Sequence, residues 1–141
     1  MREILFRGKR SNENEWAYGF YVKADRHWHE RGVHKDWIVC GAISNGGWFN
    51  MQDKYAVKPE TLGQYTGLKD KDGKWIFEGD VVRGIDRLNK GLKIYGYISH
   101  ENGSFVIVGD FMTHYRWLDY EVEIIGNIHD NPELIGGEED A

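Results

Sequence analysis

Residues 92–108 read Leu92-Lys93-Ile94-Tyr95-Gly96-Tyr97-Ile98-Ser99-His100-Glu101-Asn102-Gly103-Ser104-Phe105-Val106-Ile107-Val108. Asn-Gly tolerates the positive φ angles of a type I′ turn, and apolar residues flank it on both sides. The stretch therefore reads as a β-hairpin with its tip at Asn102-Gly103. The same logic applies at Asp72-Gly73, between Leu62-Gly63-Gln64-Tyr65-Thr66-Gly67 and Trp75-Ile76-Phe77, and Glu78-Gly79-Asp80 turns the chain again before Val81-Val82. Glu121-Val122-Glu123-Ile124-Ile125 reads as the last long strand.

Toward the start of the chain, Trp16, Tyr18, Phe20 and Val22 alternate with Ala17, Gly19, Tyr21 and Lys23. This period of two belongs to a strand, and it is expected to point the aromatic row into a core. Asp36 to Ile43 is apolar on both faces, as a central strand is, and ends at Ser44-Asn45-Gly46-Gly47. The polar stretch from Asp25 to His34 reads as a long hairpin loop. Eighteen glycines, six tryptophans and eight tyrosines against two prolines suit short strands and tight turns better than a helical bundle. The helical candidate is one turn at Asn131-Pro132-Glu133-Leu134, where Asn precedes Pro as an N-cap does. The expectation is a mainly β fold of short strands in small bent sheets or barrels, with at most one or two short helical turns.

A chain of 141 residues fits one domain or two small subdomains. The division expected is an N-terminal β subdomain over 1–78, a second over 79–135, and a disordered acidic tail over 136–141. That tail, Gly136-Gly137-Glu138-Glu139-Asp140-Ala141, has too little apolar surface to offset ordering. The lone Cys40 makes no internal disulfide, which suits a reducing cytoplasm. Met1-Arg2-Glu3-Ile4 opens into a strand-like pattern without a charged and then apolar leader, so neither secretion nor membrane insertion is expected.

Three segments carry a resemblance. They are Phe6-Arg7-Gly8-Lys9-Arg10 with Trp16-Ala17-Tyr18-Gly19-Phe20; Pro59 to Leu68 running on into Gly73 to Val82; and Ile125-Gly126-Asn127-Ile128-His129-Asp130-Asn131-Pro132-Glu133-Leu134. In order and spacing they resemble the YopX family over nearly the whole chain. The resemblance implies an SH3-like barrel for the C-terminal part and an origin in a phage or prophage. It implies no catalytic residue, reaction or ligand.

His27, His29 and His34 are the first metal candidates, but Glu30 follows at once where a cupin-like site wants a glutamate further on, and a solvated loop explains them as well. Asp70-Lys71-Asp72-Gly73 starts like a calcium loop, yet Trp75-Ile76-Phe77 takes the chain into a strand where further oxygen ligands belong. Cys40 lies in an apolar strand, where thiols are inert. Asp110 with His114, or Glu121 with Glu123, supply acid-base groups that no motif orders, and no phosphate loop, nucleophile elbow or CxxC pair is present.

The expectation is a chain without enzymatic activity, cofactor or bound metal. It is a protein-binding or assembly module whose partner is a host or phage protein, with self-association as an option. The alternative is a small-barrel nucleic-acid binder. The surface nominated for a partner is Arg7, Lys9, Arg10, Tyr95, Tyr97, Tyr115, Arg116 and Trp117, aromatic groups for stacking beside basic ones for phosphate. A net charge of −5 argues against general affinity for phosphate backbones.

Overall fold

The computed structural model describes residues 4–23, 36–39, 54–110 and 112–135, so the expectations for His27, His29, His34, Cys40 and the acidic tail fall outside the described residues. The chain is mainly β, and its compact units are Met1–Tyr65 and Thr66–Ala141. The division lies earlier than residue 78, because Ile76 packs with Val82, Ile98 and Ile107 of the second unit. No helix among the described residues is long and apolar enough to cross a membrane.

In the first unit, β1 (Phe6–Lys9) pairs antiparallel with β2 (Trp16–Lys23), β2 with β3 (Asp36–Val39), and β3 with β4 (Lys54–Ala56). β3 thus has a strand on either side, in the central position expected for it. A 3-10 turn at Pro59–Thr61 leads into β5 (Gly63–Lys69), whose first residues pair with β1. Thr61 fixes that corner: its hydroxyl donates to the Lys58 carbonyl at 2.6 Å and accepts from the Lys9 N–H at 2.8 Å. A single bridge, Arg10 to Val57, ties the end of β4 back to the end of β1.

The core of this unit is Ala17, Ile38 and Val57, flanked by Phe6, Tyr21, Tyr55 and Leu62. Here the expectation for β2 is corrected. Its row of large apolar residues faces outward, with Tyr18 47%, Phe20 49% and Val22 41% exposed, while Ala17 and Gly19 are buried. Period two establishes that a strand has two faces, and the neighbours decide which one is inside. Val57 closes so tightly on Gly8, the partner of Ala17, that a Cβ there would lie 3.0 Å from the valine's own. Only small residues fit under it, so the small row is the inner one. Tyr21 is the large member of that row, and its hydroxyl donates to Asp36 Oδ1 at 2.6 Å. Burial, with the Asp36 carboxylate beside it, pushes its pKa up to about 12.

A stability test follows. Phe20→Ser, at a half-exposed position, should cost about 1 kcal/mol. Ile38→Ala, at a site with 0% exposure, should cost about 3 kcal/mol. Urea titrations of the two variants compare them directly, and equal losses would return Phe20 to the core.

In the second unit β5 continues and turns at Asp70–Lys74 into β6 (Trp75–Phe77). β7 (Asp80–Asp86), β8 (Lys93–Glu101), β9 (Ser104–Gly109), β10 (Thr113–His114) and β11 (Tyr120–Asn127) form a five-stranded antiparallel sheet, ordered β10-β9-β8-β7-β11. The β8–β9 hairpin turns where expected: Asn102 (φ 54°) and Gly103 (φ 85°) are both left-handed, and Glu101 faces Ser104. Gly67, Gly73 and Gly79 share positive φ, and at Gly73 that angle alone requires glycine, since a Cβ would meet nothing within 4 Å.

The ladder is not closed into a barrel, which revises the SH3-like barrel expected for 79–135. β10 is two residues long, and the outer side of β11 is met by the Asp70 turn instead of a strand. Both are ways of blunting a sheet edge. The buried cluster is Ile76, Val82, Ile98, Ile107, Trp117 and Val122. Helical segments among the described residues are three 3-10 turns, at Pro59–Thr61, Trp117–Asp119 and Pro132–Ile135, the last where Asn131-Pro132 marked one.

Candidate functional site

The eight nominated residues divide between the two units, three in the first and five in the second. In the first unit Arg7 and Lys9 alternate on one side of β1, opposite Tyr18 and Trp16, and both are buried, at 6% and 9% exposure. The Arg7 guanidinium lies 4.5 Å from the centre of the Trp16 ring and the Lys9 ammonium 5.9 Å from it. Lys9 Nζ also donates to Asn14 Oδ1 at 3.0 Å. Arg10 stacks over Tyr55 at 4.2 Å and pairs with Glu13 and Glu15 at 2.9 and 3.1 Å. The Arg7 guanidinium is thus packed on an aromatic ring, and Lys9 and Arg10 are held by aromatic rings together with local acceptors.

In the second unit Tyr95 and Tyr97 line a small cavity of about 60 Å³ with Gly96, Val108 and Leu134. Tyr115, Arg116 and Trp117 come together with Thr66, Leu68, Phe105 and Asp119 around a groove of about 360 Å³. Trp117 is its floor: the indole N–H donates to the Phe105 carbonyl at 2.8 Å and the ring belongs to the core. Tyr115 and Arg116 form the exposed rim, with Asp119 3.7 Å from the guanidinium. The Thr66 hydroxyl is spent on the backbone, donating to the Ile76 carbonyl at 2.9 Å and accepting from the Leu68 N–H at 3.2 Å.

A second cavity of about 140 Å³ shares Leu68 and Trp117 and is lined by cations and carboxylates together, Lys69, Lys71 and Arg87 with Asp70 and Glu121. Asp70, 7% exposed, accepts the N–H groups of Asp72 at 2.8 Å and Lys74 at 2.9 Å on one oxygen, and that of Ile124 at 3.1 Å on the other. Burial raises its pKa, but those three donors and Lys74 outweigh burial and hold it below the ordinary value of 3.8. The turn is thus closed by backbone donors on both oxygens of its carboxylate. Asp86 Oδ1 likewise accepts from Leu88 and Asn89 at 2.8 and 2.9 Å. Lys71 has its pKa raised by the hydrogen bond to Asp72, then by the charges of Asp72, Glu123 and Glu121, so it stays cationic.

The acid-base candidates are dispersed. His114 is edge-on to Tyr120 at 5.8 Å, Glu123 pairs with Arg83, and Asp110 and Glu121 are exposed. Among the described residues no group of three His, Cys, Asp or Glu side chains is placed to hold a metal ion.

Residues 5–136 match the sequence model of a family described as YopX protein. No curated protein matches the chain. A crystal structure of protein EF1440 from Enterococcus faecalis is similar over 96% of this chain and 99% of its own, with 24% identity and a TM-score of 0.45.

Proposed function

The chain belongs to the YopX family, and we propose that this member is a non-enzymatic protein-binding or assembly module. The observation that carries the reading is the outward row of β2: Tyr18, Phe20 and Val22 stand side by side on one strand face, each more than two-fifths exposed. A contiguous exposed row of this kind marks an interaction surface, and aromatic side chains are the usual anchors of protein interfaces. The setting we propose is the cytoplasm of a bacterium carrying the gene on a phage or prophage, with a host or phage protein as partner. Self-association through the same face is a second form of that contact.

The nucleic-acid reading keeps one supporting observation, the exposed Arg116 beside Tyr115 on the groove rim. Arg7 no longer serves it, since a charge reversal at a buried position would report on folding. Recovery of the tagged protein from a bacterial lysate, with and without nuclease and at two salt concentrations, separates the readings. A discrete protein that survives nuclease is the expected result. Recovery of nuclease-sensitive material alone, released by moderate salt and by Arg116→Glu, would replace it with the nucleic-acid reading.

A further inference from the structure

We propose that the groove beside the outer edge of β9 holds an extended, uncharged segment of a partner protein. A backbone carbonyl of that segment accepts from the Phe105 N–H, and a large apolar side chain lies against Leu68 and Tyr115. The inference rests on the protein-binding reading and uses a different surface from the β2 row. Its ground is a gap in the sheet edge. Backbone groups along β9 point alternately toward β8 and away from it. The two-residue turn makes Glu101 and Ser104 a hydrogen-bonded pair, so Phe105, Ile107 and Gly109 direct their N–H and C=O groups away from β8. Two bonds agree with this: the Gly109 N–H donates to the Met112 carbonyl at 2.9 Å, and the Phe105 carbonyl accepts the Trp117 indole N–H at 2.8 Å. Ile107 faces His114, where β10 ends. A longer β10 would bring Arg116 opposite Phe105 in the same register. The chain instead leaves the ladder for the 3-10 turn at Trp117–Asp119, and among the described residues no acceptor meets the Phe105 N–H.

The surroundings of that donor select the occupant. Phe105 lines the groove of about 360 Å³, and Leu68, Tyr115 and Trp117 give it apolar walls. The indole N–H and the Thr66 hydroxyl are already bonded to backbone. The rim carries one charge of each sign, Arg116 and Asp119, 3.7 Å apart and both exposed. A rim balanced in this way gives a phosphate chain no net attraction, and a nucleic acid depends on that attraction for affinity. An extended protein segment brings a neutral carbonyl and, next to it, a side chain for the apolar walls. Strand addition at a sheet edge works by that combination, main-chain hydrogen bonds for affinity and pockets for alternate side chains.

Proton–nitrogen NMR of the full chain tests this. The probes are a peptide of alternating leucine and threonine, about eight residues long, and a single strand of about eight nucleotides. The peptide is expected to bind and to slow hydrogen exchange at the Phe105 amide by about tenfold or more, while the exposed Gly103 amide at the hairpin tip is unchanged. Tyr115→Ser, at an exposed wall of the groove, should weaken binding by about tenfold, and Tyr95→Ser, at an exposed position outside it, by less than about twofold. Absence of peptide binding, equal losses in the two variants, a Phe105 amide that exchanges as before, or preference for the oligonucleotide would overturn the proposal. Protection of Phe105 on concentrating the protein alone would give the groove to a second copy and overturn it too. If it fails while a protein partner is still captured through β2, this site falls alone and the protein-binding reading stands.

Discussion

Asp70→Ala is expected to lower the unfolding free energy by about 3 kcal/mol. The carboxylate serves three backbone N–H groups, two inside its own turn and one, from Ile124, on β11. Alanine leaves all three without an acceptor, in a place where the side chain itself is buried. The turn also hands the Lys71 N–H to the Val122 carbonyl at 2.9 Å, so loosening it exposes the outer side of β11. Asp70→Asn should cost less, since a carbonyl still meets Asp72 and Lys74, but its amide then sets a donor against the Ile124 N–H. The dependence on pH has a definite sign. A carboxylate whose pKa is lowered by folding contributes stability above its unfolded value of 3.8, and loses that contribution as pH falls through the lower folded value. Urea denaturation at neutral pH and below pH 3.8 should therefore show the gap between wild type and Asp70→Asn narrowing in acid. A gap that stayed constant would mean that the charge plays no part.

Gly96→Ala carries an expected loss of similar size, about 3 kcal/mol. Gly96 lies in the middle of β8, between Val82 on β7 and Gly109 on β9. A methyl group there would run into the Val108 carbonyl oxygen and come within 2.8 Å of both the carbonyl carbon and Ile107 Cγ2. Backbone cannot swing aside as the end of a side chain does, so strands β8 and β9 would have to separate. Gly73→Ala is the matched comparison, with positive φ but open space around the Cβ, and should cost about 1 kcal/mol. Thermal or urea unfolding of the pair settles the order, and a Gly96→Ala variant as stable as Gly73→Ala would show that the strands yield.

What could be read from the sequence was what local chemistry determines. Asn102-Gly103 specifies a left-handed pair wherever it lies between strands, and Asn131-Pro132 a helical start, so both turns stand where the residues put them. The facing of β2 was not legible, because both of its rows hold an aromatic residue and the choice is made by Val57, distant in sequence. The openness of the second sheet was hidden for a similar reason: that a carboxylate from the Asp70 turn would meet β11 depends on tertiary pairing. Of the nominated residues, Arg7, Lys9 and Trp117 have the chemistry of surface groups, and packing claims them instead.

The central claim is that the outward row of β2 holds a protein partner, and the most direct measurement is capture by wild type against the Tyr18→Lys/Phe20→Lys variant. Both tagged proteins would be incubated with nuclease-treated bacterial lysate and the retained proteins identified by mass spectrometry, after urea titration has shown equal stability. Discrete proteins held by the wild type and lost from the variant are the predicted result. The same proteins retained equally by both would contradict the claim.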